Sequence, residues 1–325
     1  MCGIAGWISF KQDIELQKDI LDRMSATLKN RGPDDHGEWF SPHAMLVHRR
    51  LSVVDPSGGA QPMVREKEGF RYVITYNGEL YNTCELRNIL IRKGYSFSSH
   101  SDTEVLLTSY IEWGVGCTHY LNGIYSFGIW SEKSQSLFLA RDRFGVKPLF
   151  YSIKGDSLIF GSELKTLLAH PLVKPVVNTE GLAEVFCLSP ARTPGHGIYE
   201  NVFELKPACS ILYDRDGFHH NRYWSLVSEP HSDSPEETIE KVSLQVKDAI
   251  IRQLVSDVSL CTFLSGGLDS SIISAIAANR FKEEGSFLNT YSIDYRDNEK
   301  HFKPSFFQPN PDAPLDYTLK FITKK

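Results

Sequence analysis

The sequence lacks the marks of several protein classes. No stretch reaches the roughly 18 consecutive apolar residues of a spanning helix. The opening MCGIAGWISF has no positively charged segment and too short an apolar run for a secretory signal, so neither a membrane role nor export is expected. Cysteine is sparse and scattered: Cys2, Cys84, Cys117, Cys187, Cys209 and Cys261 form no CxxC pair and no Cys/His cluster at zinc spacing. Neither a disulfide framework nor a structural metal is indicated, and a reducing cytoplasm fits that usage best. Blocks of basic charge are missing as well. With Lys+Arg 35 against Asp+Glu 40 the net charge is -5, without the electrostatic footprint of a nucleic-acid binder.

What is present is the composition of an ordinary folded protein, 41% hydrophobic and 23% charged over 325 residues, a length that predicts about two domains. The first part mixes short strands with capped helices. Tyr125–Trp130 and Ser136–Ala140 read as a strand pair, as do LFYSI and SLIFG around Lys154–Asp156. Asn82 with Glu85, and Ser101 with Glu104, read as capping boxes opening helices that close at Gly94 and Gly114. Helices layered on antiparallel sheets are expected. After Trp224 the polar, proline-containing LVSEPHSDSP reads as a linker. Ser234, Pro235 and Glu237 then open an amphipathic helix, followed by an apolar strand Val258–Leu264, a glycine turn and a helix from Ser271 to about Phe281. That order is the strand, loop and helix unit of a parallel α/β sheet.

Two groups of residues carry chemistry. Cys2 follows a methionine that can be removed, leaving a thiol and a free α-amine on one residue. An amine titrating near 7.7–8.0 can accept the proton of a thiol near 8.5. Taken alone, Cys2 reads as a cysteine that merely follows Met. In YNGE, the strand Tyr72–Tyr76 is expected to run into an Asn-Gly turn, where the Asn77 amide and the Gly78 N–H could point one way; the alternative is an ordinary hairpin turn. Arg50 suits a carboxylate. Asp102 sits in a first helical turn, where complementing the helix dipole is the alternative role. The second group, Ser265-Gly266-Gly267-Leu268-Asp269-Ser270-Ser271, lies between strand and helix and can cradle an anion with backbone N–H groups and hydroxyls. It lacks Walker spacing; a glycine turn with a Ser or Asp cap is the alternative.

MCGIAGW, RGPDDHG, HRRLSVVD, YNGELYN, SDTE and RDRFGVKPL occur in an order and spacing that resemble the class II glutamine amidotransferases, and the set is most similar to glutamine-dependent asparagine synthetases. The resemblance implies an αββα sandwich of the N-terminal nucleophile hydrolase type over 2–210. A connecting segment 211–233 and the start of an ATP-pyrophosphatase α/β domain over 234–325 would follow. It implies Cys2 as nucleophile, Asn77 and Gly78 as oxyanion donors, and Arg50 and Asp102 as anchors for the carboxylate and ammonium of glutamine. Leu51, Ser52, Val53, Val54 and Glu79 would line the pocket. RDRFGVKPL and FGSELKTL match the family but read as structural support, with no catalytic charge assigned.

SGGLDSS matches the pyrophosphatase signature, which implies ATP with Mg2+ at Leu264, Ser265, Gly266, Gly267, Leu268, Asp269 and Ser270, with Ile293 at the adenine. Glutamine would be hydrolysed at Cys2, and aspartate adenylated and then attacked by ammonia that passes internally between the sites. About 60 residues follow the glycine loop, too few to finish a parallel sheet, and FQPNPDAPLDYTLKFITKK stops in mid-loop. A truncated synthetase with only its glutaminase chemistry complete is the expectation. Another carboxylate acceptor, a non-enzymatic binding fragment and a homodimer remain open at this level.

Overall fold

The computed structural model describes residues 1–293 and Lys303. The chain divides into two compact units, Met1–Ser228 and Glu229–Lys325.

The strands of the first unit are β1 (Gly3–Ser9), β2 (Asp35–Phe40), β3 (Ala44–Arg50), β4 (Met63–Lys67), β5 (Phe70–Leu80), β6 (Gly123–Ser131), β7 (Ser136–Arg141), β8 (Phe150–Lys154), β9 (Ser157–Gly161), β10 (Phe203–Glu204), β11 (Cys209–Asp214) and β12 (Gly217–Arg222). They form two six-stranded antiparallel sheets, ordered β10-β8-β9-β1-β3-β2 and β12-β11-β7-β6-β5-β4. The period of two in the sequence explains how the sheets stack. Ile4 and Ile8 of β1 meet Val73, Trp130, Leu137 and Leu139 of the other sheet in a core between the two. The alternate residues Ala5 and Trp7 face outward, against Ile20, Leu21 and Met24 of α1 (Lys18–Thr27). The second sheet turns Tyr72, Ile74 and Tyr76 toward Leu86 and Leu90 of α2 (Thr83–Arg92) and Val105, Leu106 and Tyr110 of α3 (Asp102–Trp113). Helix, sheet, sheet and helix thus pack in four layers, the αββα sandwich, and two short helices, α4 (Leu164–Leu168) and α5 (Thr179–Ala183), follow β9.

Several local expectations are corrected. The segment 211–233, read as a connection, contains most of β11 and all of β12, which extend the second sheet. The Asn77-Gly78 pair forms no turn: both lie inside β5, opposite Ser126 and Tyr125 of β6. Asn82 precedes α2 without capping it through its side chain, because that amide instead donates to the Tyr120 carbonyl (2.9 Å) and accepts from the Asn122 N–H (3.0 Å). Ser101 does cap α3, accepting from Thr103 N–H at 3.1 Å. Its expected partner Glu104 is turned to Arg65 (2.7 Å) and to the N–H groups of Ser98 and Ser99.

In the second unit, Ser234 and Glu237 form a complete capping box on α6 (Pro235–Arg252). The expected strand 258–264 shortens to β13 (Cys261–Phe263), which pairs in parallel with β14 (Asn289–Tyr291) across α7 (Leu268–Glu283). The segment read as an unfinished tail, 307–325, lies outside the described residues.

Candidate active site

β1 is flanked by β3 and β9, so its N-terminal end is fixed from both sides. Ile4 N–H donates to Ser162 Oγ (3.0 Å), and Arg31 Nε donates to the Cys2 carbonyl (2.9 Å) while pairing with Glu163 (3.1 Å). The Cys2 thiol lies 3.4 Å from the Leu51 N–H, which donates to it. Burial pushes this thiol above its ordinary value. The Leu51 N–H, the terminal amine, Arg50 and Lys147 pull the other way. Burial also lowers the Met1 amine, which lines the same cavity.

That cavity, of about 130 Å³, gathers most of the expected residues: Cys2, Arg50, Leu51, Val53, Val54, Asn77, Gly78, Glu79 and Asp102. Ser52 is not among its walls; its N–H donates to Asp34 at 2.8 Å. Sequence reasoning missed Gln61, Tyr76 and Lys147, which are walls too.

A strand, not a turn, positions the two expected donors, Asn77 and Gly78. β4 pairs β5 only as far as Ile74, so beyond it one edge of β5 is free of a strand partner. On that edge Tyr76 N–H donates to Gln61 Oε1 (2.7 Å) and Leu80 N–H to Asp102 Oδ2 (3.1 Å). The alternation of a strand places the Gly78 N–H between them, facing the same way. Asn77 is 1% exposed, and its Nδ2 has no hydrogen-bond partner among the described residues. A Cβ on residue 78 would sit 2.3 Å from the Ile124 carbonyl oxygen, so only glycine lets β5 and β6 close here.

The two residues expected as anchors, Arg50 and Asp102, are held differently. The Arg50 guanidinium donates to the carbonyls of Pro56 (2.7 Å), Asp55 (2.6 Å) and Val54 (3.2 Å), tying the 51–58 loop over the cavity. Asp55 in turn accepts from Gly58 N–H (2.7 Å) and His100 N–H (2.8 Å). Burial would raise its carboxyl, but those bonds hold it below the usual range. Asp102 accepts from Tyr76 Oη at 2.8 Å. Its burial raises the carboxyl, against the bonds from Leu80 and Tyr76. Burial likewise raises Glu79, opposed by Lys147.

In the second unit, Ser265 and Ser270 hydroxyls meet at 3.1 Å, Gly266 has φ 80, and Gly267 caps α7. The helix begins at Leu268, taking Leu268, Asp269 and Ser270 into its first turn. A Cβ at Gly267 would meet only Ser265 Oγ at 3.6 Å, leaving open space above the loop. Leu264 is buried, with its N–H donating to the Tyr291 carbonyl (2.8 Å), whereas Ile293 is exposed. Among the described residues no three His, Cys, Asp or Glu side chains gather as a metal site.

A cysteine at the head of a central strand, in a sandwich of two helix-backed sheets, is the arrangement of the N-terminal nucleophile hydrolase fold, and the first unit has that fold. A family model described as a glutamine amidotransferase domain matches residues 1–224, and the chain belongs to that family. Residues 241–314 match a model described as asparagine synthase. The chain is 53% identical to asparagine synthetase [glutamine-hydrolyzing] 3 of Bacillus subtilis (strain 168) across 97% of its own length and 51% of that protein. Asparagine synthetase [glutamine-hydrolyzing] 1 of the same organism is 33% identical, over 91% of this chain and 46% of that one. The chain spans about half the length of these curated relatives. Among solved structures, the allosteric regulatory enzyme of purine biosynthesis superposes with a TM-score of 0.51 at 18% identity, covering 94% of this chain and 69% of that one. That likeness concerns the fold alone.

Proposed function

We propose that the first unit hydrolyses glutamine to glutamate and ammonia, as half of a glutamine-dependent asparagine synthetase that adenylates aspartate with ATP at the SGGLDSS loop. The observation carrying this reading is the convergence on one cavity of the Cys2 thiol, the unpartnered Asn77 Nδ2, Arg50 and Asp102.

Once Met1 is removed, the α-amine of Cys2 takes the thiol proton, and Sγ attacks the side-chain amide carbon of glutamine. A C–S bond forms and the carbonyl π pair moves to oxygen, where Asn77 Nδ2 and the Gly78 N–H meet the developing charge. Collapse breaks the C–N bond, and ammonia leaves with the proton returned by the amine. Water then hydrolyses the thioester, releasing glutamate and restoring the thiol. Arg50 would hold the substrate carboxylate once the loop carbonyls that now occupy it yield, and Asp102 would hold the ammonium. In the second unit, Ser265, Gly266, Gly267, Ser270 and the N-terminus of α7 would cradle the ATP phosphates, with Asp269 beside them. The six cysteines are all free, which supports a reducing compartment, and we place the protein in the cytoplasm.

Glutamate formation from glutamine, lost in Cys2→Ala, tests the first half. Incubation with ATP and a panel of carboxylates tests the second: asparagine from aspartate supports the reading, and an amide of another carboxylate changes the acceptor. Absence of glutamate, or its undiminished release by Cys2→Ala, overturns the proposal.

A further inference from the structure

Lys147 belongs to RDRFGVKPL, a segment whose charges the sequence assigns to structural support. Most of those charges do serve the backbone. Asp142 accepts from the N–H groups of Phe144 (3.1 Å), Val146 (3.0 Å) and Lys147 (3.0 Å). Arg141 donates to the carbonyls of Gly145, Lys147 and Leu205, each at 2.7 Å. Lys147 is thus pinned at both its N–H and its C=O, on a loop that cannot slide.

The side chain so positioned is 8% exposed, lines the Cys2 cavity and makes no ion pair among the described residues. Lysine is almost never this buried unless paired, because removing an ammonium from water is expensive. A rigidly delivered, unpaired cation inside a reaction cavity marks a place where negative charge is meant to appear. Arg50 also acts on the thiol, but three loop carbonyls already share its guanidinium, whereas Lys147 is committed to no partner among the described residues. Glu79 and Asp102 lie in the same cavity, yet neither closes into a salt bridge with Lys147.

We propose that the Lys147 ammonium is the counter-charge of the Cys2 thiolate, favouring the ionised nucleophile before attack. The electrostatics agree in sign. The lysine opposes the burial that raises the thiol, and in the uncleaved chain it also adds to the burial that lowers the Met1 amine. The charged groups facing the thiol are the terminal amine, Arg50 and Lys147. Arg31 and Asp34 act on the amine, and Glu79 and Asp102 complete the cavity wall. The role in turnover rests on the glutaminase reading; the effect on the thiol does not.

The test is the pH dependence of Cys2 alkylation by iodoacetamide, followed by mass spectrometry on protein verified to begin at Cys2. Wild type is compared with Lys147→Met and Lys147→Arg, with folding of each checked by thermal unfolding. Lys147→Met should move the alkylation midpoint up by about one pH unit and lower kcat/KM for glutamine about tenfold near neutral pH. Lys147→Arg should restore most of both. An unmoved alkylation profile in folded Lys147→Met overturns the proposal, even if glutamine turnover falls, because the lysine would then act on substrate. A moved profile in a protein that shows no glutaminase would sustain the counter-charge and refute only the proposed function. If Lys147→Met does not fold, an alkylation midpoint in Lys147→Gln equal to wild type overturns the proposal as well.

Discussion

Asn77 is the residue whose environment speaks most directly of catalysis. A buried amide donor left without a partner costs about 1–3 kcal/mol, and the site of Nδ2 is where an oxyanion would supply the missing acceptor. Asn77→Ala should lower kcat about 100- to 1000-fold with KM altered far less. Steady-state glutamate release measures this, and an unchanged kcat would remove Asn77 from the oxyanion site. His48, in the same HRRLS stretch as Arg50, is fully buried; its Nε2 lies 3.1 Å from the Tyr76 carbonyl, and burial lowers it to about 4. Because the folded value lies below the unfolded one, the unfolded chain binds the extra proton between about pH 6.5 and 4. Stability is therefore full above that window and falls as the pH drops through it, by about 3 kcal/mol from this residue. Urea unfolding at pH 7 and pH 5 should show a smaller loss in His48→Gln than in wild type; equal losses would mean that His48 is not the group titrating. That Cys2, Arg50, Asn77 and Asp102 meet in one cavity was legible because the motifs that carry them occur as one set. Lys147 was not, because nothing local tells a lysine that supports a turn from one that the turn delivers into a cavity.

At the level of elements, β5 shows how long-range pairing overrides local signals. Asn-Gly reads as a turn by propensity, but the register with β6, more than forty residues away, keeps the pair extended. Gly78 is needed for close approach, not for a turn. Gly78→Ala forces its methyl onto the Ile124 carbonyl and should destabilise the first unit by about 1–3 kcal/mol, with loss of glutaminase activity as the strands part. Denaturant midpoints check this, and a variant with wild-type stability would show that the β5–β6 spacing is slack. The capping boxes divide the same way. Ser234 and Glu237 close on each other in an exposed stretch where nothing competes. Asn82 and Glu104 are drawn off by Tyr120, Asn122, Arg65 and the Ser98–Ser99 turn, partners invisible to a four-residue pattern.

At the level of the whole molecule, the layered order of helices and hairpins was legible because alternation along each strand declares which face is buried. The end of the first unit was not: β12 carries exposed, polar residues such as His219, His220 and Asn221, and looks like a linker until β11, itself paired with β7, supplies its neighbour. We propose one cysteine of six, at the head of a central strand, as the glutamine nucleophile. Cys84, Cys187 and Cys261 are more exposed than Cys2, and Cys117 and Cys209 are buried, so accessibility alone would direct an electrophile elsewhere. The deciding measurement is peptide mapping of the purified chain after inactivation with a glutamine-like diazoketone. The account predicts one adduct per chain, on a peptide that begins at Cys2 with Met1 absent, and protection by glutamine. Inactivation with the adduct on Cys84, Cys187 or Cys261 and an unmodified Cys2 would contradict it.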